Sequence, residues 1–179
     1  MDELHRLSTE AFQASRKSPI VVVLENVRSM HNVGSVFRTA DAFRVEKICL
    51  CGYTPRPPHR DINKTALGAT ETVAWTGHED GLNAVTQLKE QGYSVYAVEQ
   101  VHNSTSLENF SCRSGEKIAL VFGNEAEGVS EELIAASDGC IEIPQFGSKH
   151  SFNISVAAGI VLWELFKAQP ADNTIKASF

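Results

Sequence analysis

The sequence lacks the long apolar runs that membrane-spanning proteins need. No stretch of about 18 apolar residues occurs in its 179 residues, so we exclude a membrane-spanning helix. The first ten residues, MDELHRLSTE, are acidic and polar and contain no apolar core of a secretory signal. We therefore expect a cytoplasmic protein that has no membrane partner.

Cysteine is also scarce, because the chain has four cysteines and none of them forms a CxxC pair. Cys49 and Cys51 lie two positions apart in an apolar stretch, which predicts that they share one face of a strand. We expect all four cysteines to be reduced packing residues. The six histidines form no ligand-spaced cluster with cysteine or acid, so we predict no metal site.

The common nucleotide-binding and hydrolase motifs are missing as well. The chain contains neither a GxxxxGK[ST] loop nor a GxSxG elbow. Its one glycine turn after an apolar strand, GNEAEG, does not have the GxGxxG spacing and places an acid where a phosphate would lie. A nucleotide-dependent oxidoreductase on a doubly wound sheet is therefore disfavoured.

Positive charge is limited, since the net charge is −6. This balance argues mildly against nucleic-acid binding, which depends on contacts to phosphates. The basic residues are nevertheless grouped, and a candidate RNA-binding set consists of Arg28, Arg56, Arg60 and Lys64. The segment 56–64 either contacts phosphates or is a solvated loop.

What is present is an alternation of strand-like and helix-like segments, which is typical of a largely parallel sheet covered by helices. We predict strands at 19–25, 46–51, 72–75, 93–99, 117–123 and 140–144. Helices are expected at about 33–40, 79–91, 130–137 and 151–167, and a loop at 53–64. The domain boundaries we predict are an N-terminal helical extension at 1–18, one α/β domain at 19–169 and a tail at 170–179. Trp75 and Trp163 are expected in the core.

A first candidate segment is ENVRSMHNVGSVFRTADAF, from Glu25 to Phe43. A buried strand ends there, and Asn32 is well placed to cap the helix that follows. Arg38 lies one turn from the carboxyl edge of the strand, where open α/β sheets bind ligands. Alternatively, Arg38 is a surface charge paired with Asp41 at i+3.

Two further segments carry polar residues at strand ends. In KIALVFGNEAEGVSEEL, Gly123 allows close approach to the backbone, Glu125 suits a hydroxyl or a cation, and Ser130 caps a helix. In CIEIPQFGSKHSFNISVAAGIVLWEL, Ser151 and Asn153 stand at the mouth of an apolar helix. Ser151 is a candidate cap, whereas Asn153 would need a partner if it lay inside a buried first turn.

Together and in this order, NVRSMHNVGSVFRTADAF, LVFGNEAEGVS and IEIPQFGSKHSFNISVAAGIVLWE resemble motifs 1, 2 and 3 of the SpoU (TrmH) family of RNA ribose 2′-O-methyltransferases, in the SPOUT superfamily. The resemblance covers about residues 19–167. It implies an S-adenosylmethionine cofactor, a tRNA or rRNA substrate and a homodimer with the final helix in its interface. It also implies that the C-terminal part threads through a loop as a deep trefoil knot.

The resemblance also implies site residues, which we carry over position by position. The catalytic set is Arg38, Asn32, Glu125, Ser151 and Asn153. The cofactor contacts are expected around Gly123, Ile143 and Phe152, with Val98 and Glu99 as further candidates. Phe152 stands where the family commonly has leucine. An alternative from another class is a catalytically silent knotted module that binds RNA or assists assembly.

Overall fold

The computed structural model describes residues 8–148 and 151–168, and its centre is a seven-stranded parallel sheet with the strand order β3-β2-β1-β6-β4-β7-β5. The strands are β1 Ser18–Glu25, β2 Val45–Cys51, β3 Ala74–His78, β4 Ser94–Val98, β5 Thr105–Ser106, β6 Ile118–Phe122 and β7 Gly139–Glu142. The helices are α1 Thr9–Ala14, α2 Met30–Ala42, α3 Arg60–Ala66, α4 Ala69–Thr72, α5 Gly81–Glu90, α6 Glu131–Ala136 and α7 Ile154–Ala168, with a 3-10 turn at Leu107–Asn109. The predicted α/β class with a parallel sheet is confirmed.

Strand β1 is an interior strand of the sheet and is covered on both faces. It pairs in parallel with β2 on one side and with β6 on the other. Ile20, Val22 and Leu24 face one helical layer, and Val21 and Val23 face the opposite layer. Such two-sided burial explains why β1 reads as an unbroken β-branched run in the sequence.

The two helical layers differ in their composition. Helices α2, α3 and α7 pack together on one face, and Phe37, Ile62 and Leu162 are among their buried residues. Helices α5 and α6 cover the other face through residues such as Leu88 and Leu133. Helices α2 and α7, which belong to two of the candidate motifs, therefore lie on the same side of the sheet.

The strand order creates a switch point beside β1. From β1 the chain continues to β2 and β3 on one side, whereas β6, β4 and β7 lie on the other side. Because every ladder is parallel, the strands end at one common edge. Ligands of open α/β sheets bind in the crevice outside that carboxyl edge.

Several predicted element boundaries are wrong. The segment 53–64 is not a loop throughout, because α3 begins at Arg60 directly after the prolines, with His59 accepting a hydrogen bond from the Asp61 amide as its cap. The strand expected at 72–75 begins at Ala74, since Ala69–Thr72 is a short helix. Of the extension 1–18, the structure describes a helix only at Thr9–Ala14, and residues 1–7 lie outside the described residues. The predicted tail 170–179 lies outside the described residues as well.

The starts of α2 and α7 also differ from prediction. Ser29, and not Asn32, caps α2, because its hydroxyl accepts a hydrogen bond from the Asn32 amide at 3.2 Å. Helix α7 begins at Ile154, and the Asn153 side-chain oxygen accepts the Ser155 amide at 2.9 Å, so Asn153 takes the capping position expected of Ser151. Both corrections change what the two asparagines can do.

The four cysteines are free thiols, as predicted, and Cys49 and Cys51 pack on the same face of the sheet. Burial raises the pKa of all four thiols, so they are protonated at neutral pH. Trp75 packs against the core, but the prediction for Trp163 is wrong, because its side chain is 53% exposed on α7. Within the described residues, no helix is long and apolar enough to cross a bilayer.

Candidate functional site

A cavity of about 510 Å³ opens where β4, β6 and β7 end. Its walls combine the last residues of those strands, the loop after β6 and the segment before α7. They consist of Val98, Glu99, Gln100, Phe122, Gly123, Asn124, Glu125, Ala126, Glu127, Gly128, Ile141, Glu142, Ile143, Gln145, Ser151, Phe152, Asn153, Ile154 and Ala157. The size lies within the usual range for small-molecule sites.

The five positions predicted to contact a cofactor all lie on this wall. They are Val98, Glu99, Gly123, Ile143 and Phe152. The sheet brings them together because β4 and β7 are adjacent and β6 borders β4. Their role toward a cofactor stays a prediction, but their convergence on one cavity is a property of the fold.

The loop after β6 is closed by backbone pairing between Asn124 and Gly128, whose two N–H···O bonds are each 2.9 Å long. A side chain at Gly123 would collide with the Gly128 carbonyl group, so that position must be glycine. Gly128 has φ +73° and its Cα faces the Glu99 carboxylate at a distance that leaves no room for a Cβ. The two glycines therefore allow a tight turn that forms one wall of the cavity.

Two carboxylates hold this turn from opposite sides. Glu99 accepts the Val129 amide at 3.0 Å. Glu25, a buried residue at the end of β1, accepts the Ser130 amide at 2.9 Å and the Ser130 hydroxyl at 2.6 Å. Ser130 in turn caps α6, as predicted. The buried carboxylate of Glu25 thus ties the central strand to the loop that lines the cavity.

At the mouth of the cavity, Glu125, Asn32 and Asn153 form a chain of hydrogen bonds. Glu125 accepts the backbone amides of Arg28 at 2.9 Å and Ser29 at 3.1 Å, together with the Asn32 side-chain amide at 3.0 Å. The Asn32 carbonyl oxygen accepts the Asn153 amide at 3.1 Å. Three of the predicted catalytic residues, one from each motif, are therefore in direct contact.

The protonation of Glu125 follows from these contacts. Partial burial alone would raise its pKa, but the hydrogen bonds from the Arg28, Asn32 and Ser29 amides outweigh that effect and lower the pKa below its ordinary value. Glu125 is consequently an ionised acceptor at neutral pH. A carboxylate with a lowered pKa is a weak base, which suits positioning better than proton abstraction.

A second network, which the sequence did not reveal, supports the same loop. Asn124 is buried, and its side-chain amide donates to the Asn26 carbonyl at 2.9 Å and to the Tyr53 hydroxyl at 2.7 Å. Its side-chain oxygen accepts the amides of Ala126 and Glu127. The only sequence signal was an asparagine between a glycine and an acid after a strand, a common turn pattern.

Arg38 and Ser151 have different positions relative to the cavity. Ser151 lies on its wall, whereas Arg38 is exposed on α2 and does not belong to the lining. Within the described part of the chain, the Arg38 guanidinium forms no hydrogen bond or ion pair, and Asp41 accepts the Thr72 hydroxyl instead. The predicted pairing of Arg38 with Asp41 is therefore wrong. Arg38 is also absent from the cavity wall of its own chain.

The four residues predicted to contact RNA are dispersed along one side of the sheet edge. Arg60 and Lys64 are exposed and lie one turn apart on α3, which packs against α2. Arg56 lies over Gly77 and donates to the His78 carbonyl at 2.8 Å, so part of its function is structural. The Arg28 guanidinium lies beside the Tyr53 hydroxyl.

The charge of the cavity wall restricts its ligand. Four carboxylates line the cavity, those of Glu99, Glu125, Glu127 and Glu142, and the lining contains no lysine, arginine or histidine among the described residues. No group of three or more histidine, cysteine or acidic residues in the described ranges could hold a metal ion. A phosphate-bearing ligand would meet repulsion there, whereas a cationic or hydroxyl-rich ligand would be stabilised.

The chain is similar to known proteins along nearly its whole length. The model of the SpoU rRNA Methylase family matches residues 19–163. The chain is 35% identical over 162 residues to the tRNA (guanosine(18)-2'-O)-methyltransferase of Thermus thermophilus, which covers 90% of this chain and 81% of the relative. It is 30% identical over 146 residues to the 23S rRNA (guanosine-2'-O-)-methyltransferase RlmB of Neisseria meningitidis, covering 82% of this chain and 57% of the relative.

Solved structures of similar fold include RNA-modifying enzymes of the same kind. The crystal structure of the A. aeolicus TrmH/SpoU tRNA modifying enzyme superposes with a TM-score of 0.77 at 26% identity, covering 89% of this chain and 79% of that chain. The AdoMet-bound rRNA methyltransferase from Sinorhizobium meliloti gives a TM-score of 0.78 at 26% identity, covering 85% and 57%. The chain thus spans little more than half the length of the longer relatives.

Proposed function

Because the chain belongs to the SpoU rRNA methylase family, we propose that it transfers the methyl group of S-adenosylmethionine to a ribose 2′-hydroxyl in tRNA or rRNA. The observation that carries this proposal is the contact of Glu125, Asn32 and Asn153 at the mouth of the cavity. The relatives named above act on tRNA or on 23S rRNA as 2′-O-methyltransferases. Such a substrate would meet the protein in the cytoplasm.

The cavity suits this cofactor on chemical grounds. Val98, Ile143 and Phe152 offer apolar surface for an adenine, and Gly123 allows the tight turn that forms the neighbouring wall. Glu99 can accept hydrogen bonds from ribose hydroxyls. The acidic wall favours a sulfonium cation and disfavours a dinucleotide pyrophosphate, which argues further against an oxidoreductase.

The sulfonium of S-adenosylmethionine supplies an activated methyl group, so the protein must orient the attacking hydroxyl and dispose of its proton. Asn32 and Asn153 present amide groups held in place by Glu125, and Ser151 adds a hydroxyl on the same wall. Arginine stays protonated in proteins and cannot accept the proton. Arg38 therefore orients the ribose and stabilises charge, while a phosphate oxygen or water takes the proton.

Because Arg38 does not belong to the cavity lining of its own chain, we propose that a second copy supplies it. Helix α7 packs on α2, and Gly159 of α7 faces Thr39, the neighbour of Arg38. The same helix exposes Val156 and Trp163 at 49% and 53%. We propose that this apolar face of α7 forms a two-fold interface in a homodimer, in which Arg38 of one protomer completes the cavity of its partner.

The position of the segment before α7 supports a knotted chain, which the family resemblance implies. Ser151 and Asn153, which precede α7, line the cavity together with the loop after β6. We propose that the chain passes through that loop region as a deep trefoil knot, a topology that is otherwise very rare. Arg28, Arg56, Arg60 and Lys64 are proposed to contact RNA phosphates around the cavity mouth, which would offset the acidic net charge.

The test compares ribose methylation with and without the protein. Mass spectrometric mapping of 2′-O-methylated nucleosides in tRNA and rRNA should show one or a few sites that disappear when the gene is deleted. These sites should return with the wild-type gene but not with an Asn32→Ala gene. Calorimetry with S-adenosylmethionine distinguishes the methyltransferase from the catalytically silent module. An absence of binding at millimolar concentration would favour the silent module.

A further inference from the structure

Tyr53 presents an aromatic ring to solvent beside the candidate site. It follows β2 at the carboxyl edge of the sheet, and 54% of its side chain is exposed. Its hydroxyl accepts a hydrogen bond from Asn124 at 2.7 Å, and its backbone amide donates to the Asn26 side chain at 3.3 Å. The ring is thus fixed at both ends while its surface stays open.

The fixed ring is connected to the catalytic network by two routes. Asn124, which holds the hydroxyl, precedes Glu125 in the chain and lines the cavity. The second route runs through Arg28. Its guanidinium interacts with the Tyr53 hydroxyl, which raises the pKa of the guanidinium, and its backbone amide donates a hydrogen bond to Glu125. Tyr53 therefore borders the position that a target ribose would occupy next to Glu125 and Asn32.

We propose that the exposed face of Tyr53 is a stacking surface for an RNA base, at the target nucleotide or directly next to it. This inference rests on the proposed function, because it requires an RNA strand at the cavity mouth. Sequence-specific proteins bind unpaired RNA bases by stacking them on aromatic side chains. A ring that is already fixed loses little conformational freedom when it binds.

The local charge favours a base over a phosphate at this position. The Arg28 guanidinium lies beside the Tyr53 hydroxyl, and Glu125 and Glu127 both act on it electrostatically. A phosphate placed against Tyr53 would meet these two carboxylates, whereas the face of a neutral base would not be repelled. The guanidinium beside the phenol hydroxyl also helps to fix the ring.

Two variants separate the ring surface from its anchor. Tyr53→Leu removes the aromatic face, and Tyr53→Phe keeps the face but removes the hydroxyl that Asn124 and Arg28 hold. With total tRNA and rRNA from cells that lack the gene as substrate, Tyr53→Leu should raise the KM for RNA by about tenfold. Tyr53→Phe should raise it by no more than about threefold, and both should bind S-adenosylmethionine like the wild type.

A matched control removes another exposed apolar side chain. Leu67 is 66% exposed at the left-handed end of α3, a conformation that asparagine accepts, so Leu67→Asn should leave the KM for RNA unchanged. Ultraviolet cross-linking of the wild-type protein to the same RNA should place a nucleotide adduct on the peptide that contains Tyr53. That adduct should be lost in Tyr53→Leu.

Several results would overturn the proposal. Equal losses in Tyr53→Leu and Tyr53→Phe would mean that the hydroxyl anchor matters and the ring face does not. Weaker binding of S-adenosylmethionine by Tyr53→Leu would mean that Tyr53 acts by holding Asn124. If the wild-type protein transfers no methyl group, the proposed function fails, and filter binding of RNA then decides: equal affinities of wild type and Tyr53→Leu would exclude the stacking surface.

Discussion

The side-chain amide of Asn32 lies 3.0 Å from the Glu125 carboxylate, although 93 positions separate the two residues in the chain. This contact exists because Ser29 caps α2 and leaves the Asn32 side chain free. The free side chain then links Glu125 to Asn153, which stands at the start of α7. The hydrogen-bonding capacity of Asn32 is thus used for the site and not for the helix.

Replacement of Asn32 should therefore impair the reaction more than it impairs cofactor binding. We expect Asn32→Ala to lower kcat by about a hundredfold, because the loss of an orienting group misplaces the attacking hydroxyl. The affinity for S-adenosylmethionine, measured by calorimetry, should stay close to that of the wild type. Asn83→Ala, which removes a similar amide that contacts Gln87 on α5, is the control and should keep full activity.

Arg38→Ala should abolish turnover while leaving the cofactor affinity nearly intact, because Arg38 is assigned to the ribose of the substrate and not to the cofactor. The measurement is transfer of labelled methyl to RNA, together with calorimetry. Arg113→Gln removes an exposed arginine that precedes β6, at the opposite edge of the sheet, and should have no effect. Activity within a few-fold of wild type in Arg38→Ala would contradict the assigned role.

Mixing two inactive proteins tests whether Arg38 acts across a dimer. If Arg38 serves the partner's cavity and Asn32 serves its own, a heterodimer of Arg38→Ala and Asn32→Ala contains one intact site. A statistical mixture of refolded subunits should then recover about a quarter of the wild-type activity. No recovery would mean that both residues act within one protomer.

The hydrogen bonds to Glu125 should make its contribution to stability depend on pH. Its folded-state pKa lies below the ordinary value of 4.5, so the stabilisation is fully present above that value and is lost as the pH falls through the folded-state pKa. Glu125→Gln should consequently lower the free energy of unfolding at pH 7, and the difference from wild type should shrink as the pH falls below 4.5. Urea unfolding over a series of pH values measures this. Glu127→Gln, which removes another carboxylate of the same loop, is the control and should change the free energy of unfolding at pH 7 by less than about 0.5 kcal/mol.

Glu25 offers a stability test at a residue that does not itself line the cavity. Glu25→Ala leaves the Ser130 amide without its buried acceptor, which should cost about 1–3 kcal/mol of unfolding free energy. Chemical denaturation measures the loss. Glu90→Ala, at the exposed end of α5, is the control and should change the stability by less than about 0.5 kcal/mol. An equal effect of both substitutions would show that the Glu25 contact is not important.

The sequence predicted the sheet well because burial on both faces leaves a direct pattern, as the β-branched run of β1 illustrates. Glu125 and Asn153 were expected in the site because their motifs resemble those of the SpoU family, and the structure brings them together because their segments follow β6 and β7, which end at one edge of the sheet. Polar networks were harder to foresee. Glu25 and Ser130 are 105 positions apart, and no periodicity connects an acid at a strand end with the hydroxyl that it will bind.

Local chemistry also misled the prediction in two places. Three prolines between β2 and α3 indicated a loop, but proline precedes helices as readily as it ends them, and α3 begins at Arg60. Asn32 is a good capping residue by type, yet Ser29 takes that position. Which of two suitable residues caps a helix depends on where the strand before it ends, and that is set by tertiary packing.

The central position of β1 has a consequence for synthesis of the chain. Its partner β2 follows soon after it, but the other partner, β6, is made only after α5 and β4. At ordinary ribosomal rates the stretch between β1 and β6 takes roughly 5–20 s to emerge. During that time one edge of a strongly apolar strand remains unpaired on the ribosome, so chaperones that bind extended apolar segments should engage the nascent chain there.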